Sequence, residues 1–122
     1  MDRIEVVSTG APGPVGSGGF GRQKAFETDT VRVGETTIAA GASSPWHHHG
    51  SRTLYGFVVS GQLTLEFGPR GAESVRVSAG DFVRIPPGLV HRDVNATGSE
   101  TVIVNALIGP GPPTIDVQVP PA

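Results

Sequence analysis

No stretch of this chain keeps a helical hydrophobic period over ten residues or more. What repeats is shorter: β-prone runs, each cut off by glycine or proline. Eighteen glycines and eleven prolines fall within 122 residues. Such a load can mark disorder, but here most of it sits between β-prone runs, as the turns of an all-β domain do. The pattern predicts strands at 3–8, 24–28, 31–33, 36–40, 45–49, 54–60, 62–67, 73–78, 81–85, 90–94, 101–108 and 114–119. Turns are expected at Gly34, Gly41, Gly50, Ser60-Gly61, Gly68–Gly71, Ala79–Asp81, Pro86–Gly88 and Gly109–Pro113. Gln62–Phe67 and Ser74–Ser78 alternate polar and apolar residues, so each buries one face. Short strands at this spacing imply a sandwich or barrel. Residues 1–22, rich in glycine and proline from 9 to 21, are expected to form a flexible arm, and residues 23–122 a single β-barrel domain.

Composition removes several function classes. There is no cysteine, which excludes disulfides, thiolate metal sites and cysteine nucleophiles. That fits a reducing, cytoplasmic setting. The net charge of -2 comes from dispersed charges, so no nucleic-acid footprint is expected. No apolar run approaches the roughly 20 residues that span a bilayer, and the N-terminus does not read as a secretory signal. The glycines at 16–21 precede no helix, so they are not a phosphate-binding loop.

All four histidines lie in two short stretches: His47-His48-His49, and His91 in Gly80–Asn95. Neutral imidazole is the commonest metal ligand. His47 and His49 are two residues apart, so on a strand both point to one face. His91 is the remaining histidine able to join them. His48 and Trp46 have the opposite parity and are expected on the outer face.

These stretches resemble the two signature motifs of the cupin family, small β-barrels of jelly-roll type. The first motif is matched by Gly41, His47, His49 and Gly61. The second is matched at every position by Gly80, Pro86, Gly88, His91 and Asn95. The resemblance implies a cupin-type jelly-roll β-barrel and a homodimer, with the N-terminal arm as a candidate for exchange. It also implies a metal site, usually of three histidines and one glutamate.

The glutamate position, separated from Gly61 by six residues, is Leu54 here, and no acidic residue lies between His49 and Gly61. The expected ligand set is therefore His47, His49 and His91 around one divalent transition metal. Fe(II) is favoured; Mn, Ni, Cu and Zn also suit such a site. Three neutral ligands leave the ion its full charge and open positions, which suits a small, anionic, bidentate substrate. Among cupins, sites of this sort are associated with dioxygenases, which makes a dioxygenase-type oxidoreductase the leading expectation. Metal-assisted isomerisation, cyclisation or lyase chemistry is the close alternative. A non-catalytic binding or sensing module, with Leu54 marking a lost metal site, is another.

Four further residues are candidates near this site. Arg52 can bind a substrate carboxylate bidentately, although a solvated loop arginine is the commoner outcome. Leu54, with Gly56 and Val58, is expected to form an apolar inner wall. Asp93 shares the parity of His91 and can orient a ligand or act as a base; a surface ion pair with Arg92 or Arg84 is equally open. Asn95 is either a partner that orients a ligand or a turn residue.

Overall fold

The computed structural model describes residues 2–9, 16 and 18–122. Ten strands carry the fold: β1 (Phe20–Glu27), β2 (Val31–Ile38), β3 (His47–His48), β4 (Thr53–Ser60), β5 (Gln62–Phe67), β6 (Glu73–Ser78), β7 (Phe82–Ile85), β8 (Arg92–Val94), β9 (Thr101–Ile108) and β10 (Ile115–Asp116). A single 3-10 turn, Pro69–Gly71, is the one helical element among the described residues. No helix there is long and apolar enough to cross a membrane.

The strands form two main sheets, antiparallel throughout. One has five strands in the order β1-β2-β9-β4-β7, the other three in the order β6-β5-β8, and a small β10-β3 ladder stands beside them. A bridge between His47 and His91 continues the smaller sheet from β8 into β3. The sheets face each other, as in a jelly roll. Ile38, Leu54, Val58, Ile103 and Leu107 enter the core from the large sheet, and Leu63, Leu65 and Val77 from the small one. Alternation explains the choice: Leu54, Gly56 and Val58 are buried on β4, while Tyr55 and Val59 between them are exposed. The expected inner wall on β4 is therefore present.

Three expectations need correction. Residues 3–8 form no strand; they run as exposed coil, with Ile4 93% exposed. The segment has β-prone residues but pairs with no neighbouring strand, and an unpaired strand has nothing to stabilise it. Gly34 is not a turn. It lies within β2, opposite a bulge in β1 between Lys24 and Phe26. A Cβ at Gly34 would stand 2.6 Å from the Gln23 carbonyl oxygen, so glycine is there for close backbone approach, not for reversal. The expected strand at 114–119 contracts to Ile115–Asp116, held by His48 and His47. Most of the glycine- and proline-rich part of the N-terminal arm lies outside the described residues.

One polar residue ties this fold together near the second motif. Asn95 is fully buried. Its Nδ2 donates to the Ile38 and Ser99 carbonyls at 3.0 and 2.8 Å, and its Oδ1 accepts from Thr97 N and Oγ1 at 3.1 and 2.7 Å. Both donors and both lone pairs are used. Asn95 is thus the turn-holding residue of the two readings, and it makes no hydrogen bond to a histidine. Asn95→Ala leaves these backbone groups unpaired and is expected to lower stability by about 2–4 kcal/mol. Urea denaturation measures this loss, and an unchanged midpoint contradicts the assigned role.

Candidate metal centre

His47 and His91 face each other across paired backbones. His47 N donates to the His91 carbonyl at 2.9 Å, and His91 N returns the bond to His47 at 2.8 Å. The turn that delivers His91 is Pro86-Pro87-Gly88. Gly88 has φ of +72°, which glycine adopts without strain. His49 follows two residues after His47 and points the same way. All three imidazoles are buried, and one ring nitrogen from each lies within 4.8 Å of the others. The ring centroids stand 4.3, 5.0 and 5.3 Å apart.

Each ring is fixed from behind. Nδ1 of His47 donates to the Pro45 carbonyl at 2.8 Å, that of His49 to Pro113 at 2.9 Å, and that of His91 to Leu89 at 2.8 Å. A carbonyl only accepts, so each Nδ1 carries the proton and each Nε2 presents a lone pair. Nε2 of His49 and of His91 are buried and have no hydrogen-bond partner. Buried nitrogens of this kind are costly unless something binds them. A divalent ion suits them: imidazole is a borderline donor, and a histidine ligand usually donates its other N–H to a carbonyl. The donor set therefore fits a transition metal by its own chemistry.

The site opens into a pocket of about 540 Å³, a size suited to a small molecule. Leu54, Leu63, Leu65, Ile85, Ile103 and Leu107 supply apolar wall, and the charged wall is mixed: Arg22, Lys24 and Arg32 with Glu35 and Asp116. Asp93 lines the same pocket. Its neighbour Arg92 is engaged elsewhere, paired with Glu66 and stacked over Trp46 at 4.7 Å. The inward reading of Asp93 is thus the one observed, and the Arg92 pair is not. Trp46 packs on the outside against Gly71, and His48 stands outside the trio, accepting from Gly50 N through Nδ1 at 3.0 Å.

Arg52 is neither a substrate clamp nor a solvated loop residue. It is only 4% exposed, and its Nε donates to the Gly111 carbonyl at 2.9 Å. A second contact runs from its Nη1 to the Leu107 carbonyl at 3.5 Å. Burial of a guanidinium requires acceptors, and the segment after β9 provides them. Arg52 thereby holds the chain that brings the Pro113 carbonyl to His49.

Several residues of the site were not singled out from the sequence. Pro45, Leu89 and Pro113 act through backbone carbonyls, which no residue type reveals. Asn105 had a visible signal: an amide inside the apolar run Val102–Ile108. It faces the pocket with Oδ1 buried and unpartnered, while Nδ2 reaches Thr36 Oγ1 at 3.3 Å.

A family model described as Cupin domain matches residues 34–107, more than half of the chain. This chain belongs to the cupin family. Among solved structures, this cupin is similar to a Klebsiella pneumoniae uncharacterized conserved protein with a double-stranded beta-helix domain. That pair is 19% identical, with a TM-score of 0.80, covering 95% of this chain and 99% of the other. An oxalate oxidase in complex with the substrate analogue glycolate is 24% identical, with a TM-score of 0.76, covering 93% of this chain and 63% of that one. A mutant of Bacillus subtilis oxalate decarboxylase is 19% identical, with a TM-score of 0.72, covering 86% of this chain and 30% of that one. These likenesses establish the shared fold. A search of curated proteins found no match.

Burial also shifts the protonation of His49 and His91 in this cupin. It lowers the His49 pKa from 6.5 to about 4, against a partial opposing effect of the Pro113 hydrogen bond. Burial likewise lowers that of His91, opposed mainly by Asp93. The unfolded chain takes up a proton at His49 near pH 6.5, while the folded chain does so only near 4. The unfolded state therefore binds more protons in that window, and stability falls as pH falls through it. Metal-free protein is expected to show a lower urea midpoint at pH 5 than at pH 7. An equal or higher midpoint at pH 5 contradicts the lowered pKa values of the buried His49 and His91.

Proposed function

We propose that this cupin is a metal-dependent oxidoreductase of small anionic molecules, working in dioxygenase fashion at a divalent ion held by His47, His49 and His91. One observation carries the reading: three buried imidazoles, each with Nδ1 committed to a carbonyl, turn their Nε2 sides toward one point at a pocket. Fixing ligands before the ion arrives lowers the ordering cost of binding it.

The pocket supports the choice of substrate. Of the cations at its wall, Lys24 and Arg32 are paired with Glu27, which leaves Arg22 to attract an anion beside the ion's own charge. Leu54, Leu65 and Ile103 limit the water around it and so strengthen charge interactions inside. The similar structures agree in kind: one holds glycolate, and another is described by its Mn(II) centers. A small hydroxy-acid or dicarboxylate presenting two oxygens is the substrate class proposed. Fe(II) is the preferred ion, with Mn(II) next. Such an ion, when bound, supplies Lewis-acid polarisation of the substrate oxygens and electrons for O2. The chain's own part is to hold the three nitrogens, draw in the anion and keep bulk water out.

Full-length protein purified without a histidine tag, analysed for metal, is expected to carry or take up close to one ion per chain. His91→Ala is expected to lose it. Loaded protein is then expected to consume O2 with a hydroxy-acid, dicarboxylate or catechol. Failure to take up Fe, Mn, Ni or Zn contradicts the metal site. Metal binding without O2 consumption across those substrates contradicts the dioxygenase reading and leaves metal-assisted isomerase, cyclase or lyase chemistry or a ligand-binding module.

A further inference from the structure

Asp93 is, beside His91, the second polar side chain that the second motif turns into the pocket. Its position is fixed by its own backbone: Ser44 N donates to the Asp93 carbonyl at 2.8 Å, and Asp93 N donates to Ser44 Oγ at 2.9 Å. On β8 it stands opposite Leu65, a core residue of β5. The side chain is 22% exposed, but its Oδ1 is buried and has no hydrogen-bond partner. That oxygen lies 3.8 Å from His91 Nε2, itself buried and unpartnered. The separation is too long for a hydrogen bond. With the His91 proton held on Nδ1 by the Leu89 carbonyl, Nε2 has none to offer. A carboxylate oxygen and a nitrogen lone pair thus face each other with nothing between them. Both atoms are acceptors, and a cation satisfies both.

The spacing suits a shared ion. Two donors each about 2.1 Å from one metal stand roughly 3.0–4.2 Å apart, depending on the angle between them. The carboxylate of the family's first motif is absent, because Leu54 occupies that position on β4 and lines the same pocket. The three imidazoles form the compact set within 4.8 Å. Asp93 stands outside that set and approaches it at His91.

We infer that Asp93 is a fourth protein ligand of the ion held by His47, His49 and His91, a carboxylate from the second motif replacing the one missing at Leu54. This rests on the three-histidine reading. It leaves the site with one net positive charge, still suited to an anionic substrate, and still with open positions on a five- or six-coordinate ion.

Co(II) titration of the full chain tests the assignment, read by the visible d–d absorption and by competition with a chromophoric chelator. Wild type is expected to bind Co(II) with a distinct spectrum. Asp93→Asn, which keeps shape and fold, and Asp93→Ala are each expected to weaken binding about 10-fold or more and to shift the d–d bands. Circular dichroism checks that both variants are folded. Wild-type affinity in both variants overturns the assignment, as does weaker binding with an unchanged spectrum, which marks Asp93 as acting from outside the ion's ligand set. Absence of Co(II) binding in wild type itself overturns the three-histidine reading, and Asp93 falls with it.

Discussion

Two backbone hydrogen bonds between His47 and His91 hold the site together. They join residues 44 positions apart in the chain and bring the end of one sequence motif against the end of the other. Everything functional hangs on that contact. It extends the smaller sheet to β3, aims His47 and His49 at the pocket, and lets β10 pair on the far side. The price in loop-closure entropy is met by the two sheets, whose interlocked apolar faces are already formed around Ile38, Val58 and Ile103.

The second constraint is electrostatic. Burial disfavours the charged form of His49 and His91, and in each ring of the trio the Nδ1 proton is used on a backbone carbonyl. The lone pairs that remain have no internal partner at His49 and His91. A chain that needed only packing would fill this space with aliphatic side chains, as it does at Leu54. The segment after β9 belongs to the same design. Arg52, with no carboxylate among its hydrogen-bond partners, is buried against it, and through Pro113 that segment holds His49.

Much of this was legible in the sequence, and the reasons are specific. The fold class followed from turn residues at short intervals, and the trio from a two-residue parity plus the spacing Gly80–Pro86–Gly88–His91. The apolar wall at Leu54 followed from the same alternation, which left Asp93 open between an inward role and a surface ion pair. What could not be read depended on backbone atoms or on distant chain. Arg52 looks like a loop arginine until the Gly111 carbonyl arrives from 59 residues away. Gly34 reads as a turn because glycine serves both reversal and close approach, and only the bulge in β1 decides between them. Residues 3–8 carry strand composition without a strand to pair with, which composition alone does not reveal. Asn95 had two roles open, and its four hydrogen bonds choose one.

The central claim is that three imidazoles converge on one ion. X-ray absorption fine structure at the metal edge, recorded on the full-length protein loaded with Fe(II) or Mn(II), tests it most directly. The account predicts the multiple-scattering pattern of three imidazoles per ion, with nitrogens at about 2.1–2.2 Å. One imidazole or none around the bound ion would contradict it.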